Sequence, residues 1–352
     1  MMRCARLGEL GIERSHRRSS AVQDTCLVIL ACVAVCASAT RLFGALPQDQ
    51  KIGTLSIEAP LDAIEKDIAA NKFSDARSPL NDYLKEHPQS ARAHYDLGYV
   101  LFRTHEIGAS IKEVSKSLQL NINDGEAHKI LGLDCTIIGR YDLAEVEFQQ
   151  AAKLEPGSAE IHYFLGRTYY TRGVYPLARQ EFQTAIQQNP SYMKAYNNLG
   201  LTMEILGDNQ AAIKDYTTAL QLEEEQKLNS EWPYIYLSAL YLRQEQPTDA
   251  LAYAQKALTI NPRSDLAYFQ MARAYRIQGD WKNAADAVQS AIAINSQTPD
   301  FYYVLSLSLR KLGRDTESKQ AMATFEKLQK QSAGAISQRR AHPPQEPMTA
   351  PD

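Results

Sequence analysis

The feature that most constrains this chain is that it repeats itself. The stretch "GRYDLAEVEFQQAAKLEP", Gly139 to Pro156, returns thirty-four residues later as "GVYPLARQEFQTAIQQNP", Gly173 to Pro190. Gly, Tyr, Leu, Ala, Phe, Ala and Pro keep their places while the residues between them drift. The same step links Leu97-Gly98, Leu131-Gly132, Leu165-Gly166 and Leu199-Gly200, and the pattern resumes at Leu237-Ser238, Met271-Ala272 and Leu305-Ser306. Twelve residues after each of these pairs stands another small residue: Ser110, Ala144, Ala178, Ala212, Ala250, Ala284 and Ser318. Prolines at positions 88, 156, 190 and 262 close the units they end. A period of this length marks an array of supersecondary units, each burying its apolar face against the next.

Within one unit the spacing is helical twice over. His162, Leu165, Gly166 and Tyr169 fall at i, i+3, i+4 and i+7 and share a face; Ala178, Phe182 and Ala185 share another. "TRG" between them supplies a turn, with Gly173 suited to the left-handed backbone that ends a helix. Pro190 cannot continue a helix and biases Asn189 away from helical angles. Small residues mark where two helix backbones approach closely, and Phe and Tyr fill the space beside the contact. Each unit is therefore predicted to be a helical hairpin that seats its neighbour.

This period and the pattern "hxxLGxxYxxxGxYxxAxxxFxxAxxxxP" resemble the tetratricopeptide repeat (TPR) family. The resemblance covers about Ile57 to Leu328, with units starting near Ile57, Ala91, Gly125, Ala159, Met193, Glu231, Asp265 and Pro299. It implies an all-α fold, a right-handed superhelical solenoid of about eight TPR helical hairpins, occupying residues 57–330. The first unit departs from the pattern: Ile64 and Ile68 stand about one place out of register, and the Leu-Gly pair is missing. The fifth overruns by four residues through "QLEEEQKLNSEWP". Four residues are about one helical turn, so either a longer second helix or a shifted junction is expected there, with a local change of curvature. In the last unit "MATFEKLQK" gives the final helix a wet face, as a terminal repeat requires. Residues 331–352, rich in Pro, Ala and Gln and without an apolar period, are expected to form a disordered tail.

The N-terminus follows different rules. Arg14, Arg17 and Arg18 precede sixteen uncharged residues between Asp24 and Arg41. That run is shorter than the roughly 20 residues a spanning helix needs. With the small "ASA" of Ala37 to Ala39, residues 1–39 read as an export signal, followed by a short tether over 40–56. An uncleaved anchor over 25–40 is the main alternative. A lipoprotein-like "ILAC" (Ile29 to Cys32) and a chance apolar run in a cytosolic chain are the others. Cys4, Cys26, Cys32 and Cys36 would leave with the signal, and only Cys135 would remain. The processed chain then has no internal disulfide and depends on packing. Export places it in the periplasm or elsewhere in the cell envelope, with membrane contact only through an uncleaved N-terminal segment. The formal net charge of −3 argues against a nucleic-acid surface.

No Gly-rich phosphate loop, HExxH, CxxC or nucleophile-elbow motif occurs, so neither enzymatic activity nor a cofactor is expected. His94, His128 and His162 stand at equivalent places one repeat apart. A metal site needs ligand atoms within about 2.1 Å of one ion. Equivalent points on stacked hairpins are two helix layers apart, at roughly 8–10 Å per layer. These rings cannot converge, and Tyr196, Tyr234, Tyr268 and Tyr302 hold the same place later, so the histidines are expected to pack between helices without metal. Cys135 shares its place with Tyr169, Met203, Tyr241 and Tyr275 and is expected to be a buried filler, not a nucleophile.

What remains is surface. The resemblance implies that the first helix of each hairpin lines a concave groove, its second, fifth, sixth, ninth, twelfth and thirteenth places facing a ligand. Those places hold Tyr95, Tyr99, Tyr163, Arg167, Tyr170, Asn197 and Asn198, then Tyr236, Phe269, Arg273, Arg276, Tyr303 and Arg310. Tyr and Arg are the commonest interface anchors. Arg273, Arg276 and Arg310 point to an acidic or carboxylate-bearing partner segment. The competing reading is that these side chains pack between repeats or cover a solvated helix face. Asn198 matches the middle place of the clamp by which some TPR proteins hold chaperone tails. Its flanking places carry Tyr163, Arg167, Trp232 and Tyr236 instead of that clamp's Lys, Asn and basic pair, so the clamp is absent. The expectation is a non-enzymatic scaffold of the cell envelope that holds a peptide segment or helix of a partner protein. Alternatives are a structural subunit of a pilus, secretion or outer-membrane machine, engaged by its convex face or ends, and glycan binding on the aromatic groove.

Overall fold

The computed structural model describes residues 59–336. Within them the chain is helical, and sixteen helices alternate with short turns. The helices are α1 (Ala59–Ala69), α2 (Phe73–Glu86), α3 (Ala91–Arg103), α4 (Ile107–Leu120), α5 (Gly125–Ile137) and α6 (Tyr141–Leu154). Then come α7 (Ala159–Thr171), α8 (Tyr175–Gln188), α9 (Met193–Ile205), α10 (Asn209–Gln226) and α11 (Trp232–Arg243). The series ends with α12 (Pro247–Ile260), α13 (Asp265–Gln278), α14 (Trp281–Ile294), α15 (Pro299–Lys311) and α16 (Asp315–Ile336). They gather into two compact units divided within α5, the first reaching Asp134 and the second beginning at Cys135.

Seven of the eight odd-numbered helices begin where the repeat says they should: Ala91, Gly125, Ala159, Met193, Asp265 and Pro299 are first residues, and Trp232 lies one place after Glu231, while the expected first start, Ile57, lies outside the described residues. The cause is local. Ser90, Ser158 and Ser264 cap their helices by accepting from the backbone N–H of Ala93, Ile161 and Ala267, and Asp124 does the same for Ala127. Each hairpin then turns at one fixed place, always with positive φ. Gly139, Gly173, Gly207, Gly279 and Gly313 occupy it in five hairpins, and Asn71, His105 and Glu245 in the other three. Only glycine adopts that left-handed backbone without steric cost.

In the fifth hairpin the overrun is resolved as a longer second helix. α10 has 18 residues where α8 and α12 have 14, and it ends at a left-handed Lys227. One added turn leaves the apolar face in register, which is why the insertion could be absorbed inside a helix. Buried Glu223 accepts the Ser230 N–H at 3.2 Å and ties down the displaced junction.

In the first unit, Leu61 and Ile64 of α1 are buried with Ala76, Leu80, Ala93, Leu97, Val100 and Leu101, and Ile68 packs against them. Leu61, Ile64 and Ile68 fall at i, i+3 and i+7, so the first hairpin has a regular apolar face despite its missing Leu-Gly pair. Close approach governs the seam inside each hairpin. A Cβ on Gly98 would lie 2.4 Å from Val114 Cγ2, and in the second unit a Cβ on Gly200 would lie 2.5 Å from Tyr216 Cε1. The second unit's core includes Tyr234, Ile235, Ala257 and Ala267 in one cluster and Ala272, Val288, Ala291, Phe301 and Val304 in another.

One boundary differs from expectation. α16 continues to Ile336, six residues into the stretch read as a disordered tail. The residues involved, Gln331 to Ile336, contain no proline, and helix-favouring Ala333 and Ala335 flank the single Gly334, so the helix is not broken there. The expected export segment 1–39, tether 40–56 and the rest of the tail lie outside the described residues. No described helix is long and apolar enough to cross a membrane.

Candidate functional site

The recurrent histidines are latches. In His94 and His162 the Nδ1 atom lies 2.7 Å from a carboxylate oxygen of Glu113 and Glu181, nineteen residues on in the hairpin's second helix. Their Nε2 atoms lie 3.2 Å from the carbonyl oxygens of Pro88 and Pro156, six residues back in the preceding loop. Both neighbours of the His162 ring are acceptors, so its hydrogen bonds are fully satisfied only when the ring carries two protons. The Glu181 hydrogen bond accordingly raises the pKa of His162 above its ordinary value. His128 repeats the loop contact, with Nε2 3.0 Å from the Ile122 carbonyl oxygen, and the Tyr302 hydroxyl donates to the Ser296 carbonyl at 3.2 Å. In these four hairpins the place expected to hold a packed ring therefore also joins the first helix to the loop before it. Cys135 is buried, in keeping with its reading as a filler. Among the described residues no three His, Cys, Asp or Glu side chains gather as a metal-ligand set.

The candidate surface residues divide sharply. In the first unit, Tyr95 and Tyr99 are half-buried and stacked, with centroids 6.4 Å apart. Arg103 donates to the Tyr99 hydroxyl at 2.7 Å and lies 4.7 Å over the Phe73 ring, so Phe73 and Arg103 complete a cluster that sequence reasoning did not single out. Burial, then the charges of Glu126, Asp124 and Asp96, raise the pKa of Tyr95 and keep its phenol neutral. In the second unit, Tyr163 is a hub: Arg167 Nη1 and Asn198 Nδ2 approach its hydroxyl at 3.4 and 3.5 Å, and Tyr192 lies 5.0 Å from its ring. Asn198 also donates to the Lys194 carbonyl, and Asn197 to the Met193 sulfur. Tyr170 packs edge-on against Tyr175, and Tyr236 stacks on Tyr216 with Trp232 beside it.

Further along the second unit the surface opens. Phe269, Arg273 and Arg276 on α13 are half-buried, and Tyr303 and Arg310 on α15 are exposed. Arg273 donates to Gln270 at 2.9 Å and sits 5.8 Å over the Phe269 ring, which in turn lies 4.9 Å from Phe301. Tyr303 rests 5.5 Å from Phe325. Arg243, at the end of α11, pairs with Glu204, which also accepts the Tyr216 hydroxyl. Burial and then the charge of Arg273 lower the pKa of Arg243; burial and then the charge of Arg276 lower that of Arg273, against an opposing pull from Asp300. Arg273 thus lies within electrostatic reach of both Arg243 and Arg276.

Family models described as tetratricopeptide or TPR repeats match residues 64–123, 166–204, 191–263 and 241–307, together more than half of the chain. The chain is a tetratricopeptide repeat protein. No curated protein sequence matches it. Solved structures share its fold. A tetratricopeptide repeat protein from Parabacteroides merdae is 15% identical with a TM-score of 0.57, over 73% of this chain and all of that one. The Cut9-Hcn1 hetero-tetramer of the APC/C contains a chain 18% identical with a TM-score of 0.59, covering 81% of this chain but only about half (52%) of that one. PilW, described as a type IV pilus biogenesis factor, is 17% identical with a TM-score of 0.52, over 61% of this chain and 96% of that one.

For this TPR protein the family's ligand-facing places need correction. Tyr163, Arg167, Tyr170, Asn197, Asn198 and Tyr236 are all buried, the two asparagines completely. Aromatic neighbours from adjoining elements, Tyr192 and Phe182 around Tyr163 and Tyr216 against Tyr236, close over the positions that the pattern leaves open. Those six residues belong to the packing between helices. Tyr95, Tyr99, Phe269, Arg273, Arg276, Tyr303 and Arg310 keep accessible surface. Arg243 joins them, and its only sequence signal is that it holds the thirteenth place of its hairpin.

Proposed function

We propose that this TPR protein is a protein-binding scaffold that performs no chemistry of its own. It holds an extended segment or helix of a partner along the first-helix face of α13 and α15. The observation that supports this most is the grouping of Phe269, Arg273, Arg276, Tyr303 and Arg310, all keeping accessible surface, on these neighbouring helices. Aromatic and guanidinium side chains give broad contact together with directed hydrogen bonds, the combination on which interfaces rely. The export-like segment over residues 1–39 supports a place in the cell envelope. The likeness to PilW is one of fold and lends no separate support to the structural-subunit reading.

Site-specific photocrosslinking tests the reading. A crosslinker at Phe269 or Tyr303 should capture one partner in high yield, and the same group at Leu177 or Val146, exposed on second helices, should capture little. Phe269→Ala with Tyr303→Ala should abolish that capture. Crosslinks confined to Leu177 and Val146 would instead favour an assembly subunit. Mass spectrometry of the mature N-terminus tests the envelope assignment separately.

A further inference from the structure

We infer that Arg243, Arg273 and Arg276 form a binding site for the carboxylates of an acidic polypeptide segment. The inference rests on the scaffold reading only in treating the first-helix face as the working one. Arg276 has a buried Nε, and no described residue gives its guanidinium a hydrogen bond or an ion pair. Arg273 bonds only to the neutral Gln270 amide. Glu204 partners Arg243, and Asp300, in the first turn of α15, is the other carboxylate acting on the group. Arg273 and Arg276 thus have no carboxylate within hydrogen-bond reach, and holding two partly buried guanidinium groups beside a third is costly unless an anion joins them.

The charge distribution of the last three hairpins sharpens the point. Their first helices carry Arg243, Arg273, Arg276, Arg310 and Lys311 against Asp265 and Asp300. The second helices are balanced: Asp249 with Lys256 on α12, and Lys282 with Asp286 on α14. Favourable interaction with the negative helix end accounts for basic residues in a last turn, as for Arg243 and Arg276. It does not account for Arg273, well inside α13, nor for the orphaned Nε of Arg276. Guanidinium forks match planar carboxylates bidentately. Charges spread over two helices suit several singly charged groups along a chain better than one compact dianion, and Phe269 offers the apolar contact that a polypeptide supplies and a free ion does not.

Fluorescence anisotropy with labelled hexaglutamate and hexaglutamine tests this on the full chain. Hexaglutamate should bind, more weakly as ionic strength rises, and hexaglutamine should not. Arg273→Gln with Arg276→Gln should weaken binding by about tenfold or more. Arg179→Gln with Arg263→Gln removes the same charge from exposed positions elsewhere and should leave affinity within about twofold. Equal weakening by the two double variants, or no hexaglutamate binding at all, overturns the inference. Complete displacement by inorganic phosphate overturns the polypeptide assignment in favour of a compact-anion site. If the cluster variant melts early, Arg276→Lys, which keeps the charge and loses the fork, should still weaken binding, and unchanged affinity would count against the site. Loss of arginine dependence while crosslinks at Phe269 persist removes this inference alone; the converse removes the scaffold reading and leaves the anion site.

Discussion

Replacing Glu245 with glycine should make this protein more stable. Glu245 occupies the turn between α11 and α12 with φ of 58°, at the place where five other hairpins carry glycine. Its side chain is exposed, and no described residue bonds to it, so substitution removes no contact. The left-handed backbone costs an L-residue about 1–2 kcal/mol. Glycine's larger freedom in the unfolded chain takes back about 0.5–1 kcal/mol. The difference is a gain of about 0.5–1 kcal/mol, which for a unit of this size raises the melting midpoint by roughly 1–4 °C. Circular dichroism melts and urea titrations of the full chain measure it. Gly207→Ala is the reciprocal: at φ of 85° an added Cβ meets no atom within 4 Å, so any loss, expected at about 1–2 kcal/mol, reports conformation alone. If Glu245→Gly lowers the midpoint, or Gly207→Ala leaves it unchanged, the left-handed turn is not what costs stability and the reasoning fails.

Other outcomes follow from single contacts. Gly200→Ala drives a methyl into the fully buried Tyr216 ring and should cost about 1–3 kcal/mol in urea unfolding, because neither helix can retreat without opening the seam. His162 has a raised pKa in the folded state, so its latch contributes fully below the unfolded value of 6.5 and is lost as pH rises through the folded one. The melting difference between wild type and His162→Gln should therefore shrink from pH 6 towards pH 8, and a constant difference would contradict the latch. Asp134 is completely buried, with the Ser110 hydroxyl donating to it at 2.6 Å, and burial pushes its pKa from 3.8 up to about 8. Its native carboxyl holds the proton that the unfolded chain releases, so stability falls as pH rises between those values. Asp134→Asn keeps the acceptor for Ser110, and its stabilising effect should grow from pH 4 to pH 8.

The hairpins were legible in the sequence because their determinants act over a few residues. Ser90, Ser158 and Ser264 begin helices and Gly173 turns the chain wherever they stand, so period and punctuation located the helix starts almost to the residue. The fifth hairpin was ambiguous for a definite reason: a four-residue insertion is one helical turn and fits a helix or a junction equally well. The working surface was much less legible. Tyr163 and Phe269 hold equivalent fifth places, yet Tyr163 is shut in by Tyr192 and Phe182 while Phe269 stays half-open. Which of them a ligand could reach depends on side chains in other helices, and a pattern of places within one hairpin does not carry that information. Arg243 escaped notice because a basic residue closing a helix looks like ordinary complementarity to the helix end.

The drift within the repeat has a rule, and the rule bears on where function can sit. Where the first helix offers Gly166 or Gly200, the residue sixteen places on is Phe182 or Tyr216, and each ring fills the space above the glycine. Where Ser238 stands instead, the corresponding residue is the small Ala254, and the serine hydroxyl donates to the Ala250 carbonyl at 2.7 Å. Ser306 likewise meets the Ser318 hydroxyl at 3.1 Å. At these positions a change on one side of the seam is met by a filling side chain or a hydrogen bond from the other, as close packing demands. The seam therefore leaves little room for variation that is not compensated a few residues away. The guanidinium groups of Arg273 and Arg276 lie outside this exchange: neither is paired with a carboxylate, and burial disfavours the charged form of Arg273. Asp134, Arg167, Asn197 and Asn198 also hold buried polar atoms without a partner, but they are shut inside the packing, whereas Arg273 and Arg276 keep accessible surface that a partner's counter-charge can reach.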